Sequence, residues 1–198
     1  MLFATVATAW VIAVAIAALL DGPTKPPVQP AAPVTPFEGQ VINPPALAPP
    51  IALSDDQGRP VSLSQYAQQG KAVLLTFLTS HCAGGCPLVA ELRRTLAAMP
   101  PAERARLALV AVSADPRGDT PANVAAFLRR EHMVGRLQYL IGSAAQLRPV
   151  WSAWNLTDAE AGIAAIYGIW AGGEAVTRYS SFFSPAELVY DVKRLEVL

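Results

Sequence analysis

Apolar positions recur along this chain with three spacings, and each predicts a different kind of segment. Leu2 to Leu20 is broken only by Thr5 and Thr8 and carries no charge; about twenty such residues are enough for a helix to span a bilayer. Ala72 to Thr79 and Leu107 to Ser113 are continuous apolar runs of strand length, as expected of strands buried on both faces. Between them, Leu88, Leu92, Leu96 and Met99 recur at helical spacing, with Glu91, Arg93 and Arg94 interposed. Pro87 to Met99 is therefore expected to be a helix with one face on the core.

Shorter signals supply the remaining elements. Ile51 to Leu53 and Val61 to Leu63 flank Asp55-Asp56-Gln57-Gly58, which predicts a small hairpin. Thr120-Pro121 opens a helix that runs to about Arg130, with Thr as cap and Pro in the first turn. Leu137 to Ile141 reads as a short strand, and Ser143 with Gln146 has the spacing of a capping box for a helix reaching about Trp154. Ile163 to Trp170 and Val176 to Tyr179 predict a hairpin turning at Gly172-Gly173. Ser184 and Glu187 form another capping box, for a final helix with Leu188, Val192 and Leu195 on one face. Strands alternating with helices, closed by a hairpin and a helix, predict an α/β fold: a layered sheet with helices on both faces and a thioredoxin-like core.

Proline content changes the picture before residue 51. Gly22 to Pro50 is dense in proline, which favours extended, semi-rigid chain. The expected organisation is a transmembrane anchor or signal segment over 1–21, a Pro-rich linker over 22–50, and one domain over 51–198. No Lys or Arg precedes the apolar run, whereas a secretory signal starts basic and has an apolar region of about 7–15 residues. A retained N-terminal transmembrane helix is the favoured reading, although Ala15-Ile16-Ala17 keeps cleavage open. Either reading exports the domain to the outer, periplasmic or extracytoplasmic, side of the cell membrane, where cysteines are free to oxidise. Charge adds one exclusion. Lys plus Arg and Asp plus Glu both number 15, and no basic stripe offers itself to nucleic acid.

The chemistry concentrates in Ser80-His81-Cys82-Ala83-Gly84-Gly85-Cys86-Pro87. Cys82 and Cys86 are the only two cysteines, and they sit between the first buried strand and the helix that follows. In open α/β sheets that is where ligands are held. The positive end of the helix dipole is expected to lower thiol pKa values there. Two thiols so spaced either form a small-ring, reducible disulfide or hold one soft ion such as Cu(I). Zinc would want four ligands. A structural disulfide or two inert thiols remain the bland alternative.

Three stretches resemble the SCO/SenC family of membrane-anchored copper proteins implicated in assembling the dinuclear copper centre of cytochrome c oxidase. They are Leu74 to Pro87, with its strand and CxxxCP loop; Val112 to Pro121, with its DP…DTP segment; and Gln57 to Leu63, the hairpin leading in. The similarity runs over about residues 51–198. It implies a thioredoxin fold and copper held by Cys82, Cys86 and one distal His in a motif like D-H-S-A-F-I-Y. The matching stretch here is Ala161 to Tyr167, and the His position reads as Gly162. The third ligand is missing from its place, which leaves two thiolates suited to Cu(I) rather than Cu(II).

Other candidates have plainer roles. His81 is expected as a polar loop residue, His132 as a helix-end residue favourable to the dipole, and Met133 and Met99 as packing. Asp115 suits an Asp-Pro turn, or an electrostatic role by family analogy. Asp119 and Thr120 suit a helix cap, while Trp151, Trp154 and Trp170 suit the core or an aromatic partner surface. The leading function is a copper-handling protein, a metallochaperone for the copper-bearing subunit of cytochrome c oxidase or another respiratory complex. The alternatives are a thiol-disulfide oxidoreductase using Cys82 and Cys86 as its redox pair, and a non-catalytic accessory subunit of a membrane respiratory complex.

Overall fold

The central strand explains the rest of the architecture. In the computed structural model, which describes residues 37–82, 85–156, 165–179 and 183–195, β4 (Ala72–Leu78) is buried at every position. It pairs parallel to β5 (Leu107–Ser113), which pairs parallel to β6 (Gln138–Ile141). On its other side β7 (Ile166–Ile169) and β8 (Glu174–Tyr179) form the expected antiparallel hairpin. The predicted hairpin of β2 (Ala52–Asp55) and β3 (Pro60–Ser62) joins the far flank through β6. One strand was not foreseen: β1 (Gln40–Leu47) lies against β8. The sheet order is β1-β8-β7-β4-β5-β6-β2-β3.

Alternation along β4 sends successive side chains into two cores. Leu74 and Leu78 pack with Leu88, Leu92 and Leu96 of α2 (Pro87–Ala98) and with Leu188 and Val192 of α6 (Pro185–Leu195). Val124 and Phe127 of α4 (Pro121–Arg130) close the same face. Val73, Leu75 and Phe77 face the other way, toward Tyr66 of α1 (Leu63–Gln68) and Leu147 and Trp151 of α5 (Ala144–Ala153). A short α3 (Pro101–Ala105) leads into β5. A strand sandwiched between helix layers needs apolar residues on both faces, which is why its sequence shows no alternation.

Both predicted capping boxes form. Ser143 and Gln146 exchange bonds at the start of α5. Ser184 N donates to Glu187 Oε2 at 2.8 Å, and Glu187 N donates to Ser184 Oγ at 3.2 Å. Thr120 Oγ1 accepts from Asn123 N at 3.2 Å to cap α4. Thr120→Ala should cost about 1 kcal/mol, read as a lower urea midpoint with an unchanged slope.

Two expectations are corrected. The boundary at residue 51 is too late, because Gln40–Leu47 is a sheet strand and Phe37 is 5% exposed. The Asp191 carboxylate of α6 accepts from Glu38 N and Gly39 N, each at 2.9 Å, and from the Tyr179 hydroxyl. Pro44 and Pro45 fall where the β1 register shifts, between Val41 and Ala46, on an edge strand that tolerates missing donors. Leu63, expected to end a strand, instead starts α1. Gln40 pairs with Arg178 and Ile166 with both Tyr179 and Thr76, so β1 begins at the end of the sheet where β4 finishes. The apolar run over residues 2–20, the linker up to residue 36 and Gly162 lie outside the described residues. Among the described residues no helix is long and apolar enough to cross a membrane.

Candidate functional site

The parallel strands β4 and β5 end side by side, with Leu78 opposite Ser113, and the cysteine loop rises from that end. Cys86 is the N-cap residue of α2, with Pro87 in the first turn; it is 5% exposed. Cys82 is half-buried and its thiol donates to the Thr79 carbonyl at 3.5 Å. Gly85 takes a φ of +100°, a conformation other residues adopt at a cost, and it turns the chain from the loop into the helix. Both thiols are free, and Cys86 stands near enough to Cys82 to help push its thiol up.

Their electrostatics reverse one expectation. The Cys82 thiol is pushed up to about 12 from 9.0, by burial first, then by the hydrogen bond and charge of Cys86, then by Glu131; Arg130 opposes the shift. A helix N-terminus lowers a thiol pKa when it faces the sulfur without competition. Here desolvation and a second thiol outweigh it, since both disfavour the charged form. At neutral pH Cys82 is a thiol.

Beneath the loop lies a polar cluster centred on Asp119. Asp119, expected to help cap α4, leaves that task to Thr120 and turns inward. Its Oδ1 accepts from Ser80 N at 2.8 Å, and its Oδ2 accepts from Ser113 Oγ at 2.6 Å and Tyr139 OH at 2.9 Å. Tyr139 OH also lies 2.9 Å from the Leu78 carbonyl. Burial, then Asp119, with smaller contributions from Cys82 and Cys86, raise the Tyr139 phenol far above its ordinary range. On the other side of Ser80, Arg130 Nη2 donates to its carbonyl at 3.2 Å. Only tertiary contacts carry this role, and no local motif signals it.

The remaining candidates fall into plainer places. His81 is exposed, with Nδ1 3.5 Å from Thr79 Oγ1, 3.7 Å from Asp115 Oδ2 and 4.0 Å from Asp119 Oδ1. Asp115 makes the expected turn, accepting from Arg117 N at 3.1 Å and Gly118 N at 2.9 Å. His132 is an exposed, left-handed residue ending α4, with φ 56°. Met133 and Met99 are core. Trp151 Nε1 donates to Ser113 O at 3.0 Å, and Trp154 packs on Tyr167 and Phe77 with centroids 4.9 and 6.1 Å away. Both are interior residues, and Trp170 packs partly buried against the core. Among the described residues no group of three or more His, Cys, Asp or Glu is arranged to hold a metal. The donor set is two sulfurs, which fits Cu(I), an ion content with soft ligands and low coordination. Two cavities of about 400 and 410 Å³ are lined elsewhere, and neither includes a cysteine.

Comparison with known proteins places this geometry. A protein-family model described as SCO1/SenC matches residues 40–187. No curated protein matches the chain. Apo Sco1 from Thermus thermophilus is 25% identical, with 80% of this chain and 96% of that one covered at a TM-score of 0.63. Yeast Sco1 with copper bound is 18% identical, covering 78% and 95% at 0.64. BsSco, a member of the Sco family of cytochrome c oxidase assembly proteins with a disulfide switch, is also 18% identical, with the same coverage and TM-score. The likeness to the last two is one of fold, and the fold is the thioredoxin-like one expected.

Proposed function

The chain belongs to the SCO1/SenC family, and on that premise we propose that it handles Cu(I) through Cys82 and Cys86 during assembly of a cytochrome c oxidase copper centre. The observation that carries this reading is the pair of free thiols set at the carboxyl end of β4 and the start of α2. Loading exchanges two thiol protons for one Cu(I), which then bridges the two thiolates. Because Cys82 is protonated at neutral pH, uptake is tied to proton release. Delivery is ligand exchange: a partner thiolate enters, and each departing sulfur takes back a proton. The copper-bound yeast relative supports copper as the cargo, and BsSco supports oxidase assembly as the setting. The apolar run over residues 2–20 would tether the domain to the outer face of the cell membrane.

The test is competition for Cu(I) against a chelator, using the full-length protein in detergent under anaerobic conditions. Wild type should take one Cu(I) per chain, and Cys82→Ser should weaken binding by at least about tenfold, equivalent to about 1.4 kcal/mol. Equal binding by the two proteins would retire the proposal. The redox alternative draws support from two free thiols lying at the same end of the sheet. The raised Cys82 thiol weighs against it, since exchange needs a thiolate at ambient pH. A potential below about −300 mV would mark the disulfide as structural.

A further inference from the structure

The geometry points to the peptide of Ser80 as the fixed point of the thiol pair, gripped by Asp119 and Arg130 as positioning residues. The inference rests on the reading that Cys82 and Cys86 act together. Ser80 lies two residues before Cys82 and is 5% exposed. Its N–H goes to Asp119 Oδ1 at 2.8 Å and its C=O receives Arg130 Nη2 at 3.2 Å. Both are side-chain partners, taken up where the β4 ladder has stopped. A buried peptide deprived of either partner cannot turn to water and must move.

The two grips come from opposite ends of one helix. Asp119 immediately precedes Thr120, the N-cap of α4, and Arg130 is that helix's last residue, so α4 lies across the loop like a bar. At one end the Asp119 carboxylate, whose side chain is 0% exposed, is held by Ser113 and Tyr139. At the other, the Arg130 guanidinium lies 5.4 Å from the Phe127 ring centre and 3.5 Å from Glu131 Oε1. Thr79, the neighbour of Ser80, supplies the carbonyl that receives the Cys82 thiol. The chain of constraint therefore runs from α4 through Ser80 to the Cys82 sulfur. Cys86 is set independently by the start of α2. Loosening the Ser80 peptide should change the separation of the two sulfurs without disturbing Cys86.

Equilibrium with glutathione responds to that separation, because closing the protein disulfide needs both sulfurs within bonding geometry. One oxidised glutathione takes two electrons and two protons from the dithiol, giving the protein disulfide and two reduced glutathiones. In the full-length protein, Asp119→Asn and Arg130→Gln should each shift this exchange constant by about tenfold, or about 30 mV. Arg130→Lys, which keeps a donor for the Ser80 carbonyl, should recover most of the shift. Ser143→Ala removes the cap of α5 on the opposite face of the sheet and touches neither grip. It should lower Tm while the exchange constant stays at the wild-type value. Near-UV circular dichroism confirms that each variant is folded. Folded Asp119→Asn and Arg130→Gln proteins with wild-type exchange constants would overturn the inference, as would a Ser143→Ala shift equal to that of Asp119→Asn. Failure of Cu(I) binding to respond to Cys82→Ser would remove the copper reading alone, because the glutathione measurement needs no metal.

Discussion

Cys82 in the folded protein should react with iodoacetamide roughly fiftyfold more slowly at neutral pH than an unperturbed thiol. The expectation combines two opposed effects. A rise from 9.0 to about 12 lowers the thiolate population at neutral pH by about a thousandfold. A more basic thiolate is intrinsically more nucleophilic, with a Brønsted slope of about 0.4–0.5, which returns a factor of roughly twenty. Mass spectrometry of the two cysteine peptides separates Cys82 from Cys86. The Cys82 rate should keep climbing to about pH 12, where an unfolded control flattens near 9. A plateau at or below 9 would contradict the buried, paired thiol. Stability follows the same sign. The folded state favours the protonated thiol, so this contribution is complete below the unfolded value and is lost as pH rises through the folded one. Alkaline destabilisation between about pH 9 and 12 should therefore be weaker in Cys82→Ser.

Asp191→Ala should be the most damaging single change outside the apolar core, at about 3–5 kcal/mol. Asp191 is 0% exposed and receives three donors, two of them backbone N–H groups at the entrance of β1. Alanine leaves those donors without a partner and without room for much water. For a domain of this size the loss corresponds to a fall in Tm of roughly 10 °C. Hydrogen exchange supplies a local readout: the Glu38 and Gly39 amides should lose protection before those of β4. A Tm within a degree or two of wild type would show that the chain entrance is held by something else.

These two residues mark where the sequence was legible and where it was not. The buried strands β4 and β5 announce themselves because a strand covered on both faces needs an unbroken apolar run. Helices α4, α5 and α6 carry their own start signals in Thr120, Ser143 and Ser184. β1 does not, because its side chains are mostly exposed, its prolines read as spacer, and its partners β8 and Asp191 lie well over a hundred residues away. The cysteine pair was visible as a motif, but the direction of the Cys82 shift was not. That shift depends on burial and on Arg130 and Glu131 from a distant helix end. Asp119 was misread for a similar reason. Beside Thr120-Pro121 it looks like a cap, and only the arrival of β5, β6 and the cysteine loop around it makes it a hub.

The prolines at the two margins of the sheet have a consequence for how copies of this protein meet. Pro44 and Pro45 sit in the outermost strand on one side and Pro60 in the outermost strand on the other. None of them has an N–H to offer, and the second of these strands is only three residues long. A neighbouring molecule would find broken rungs along either flank, so zipping together by intermolecular β-pairing is disfavoured.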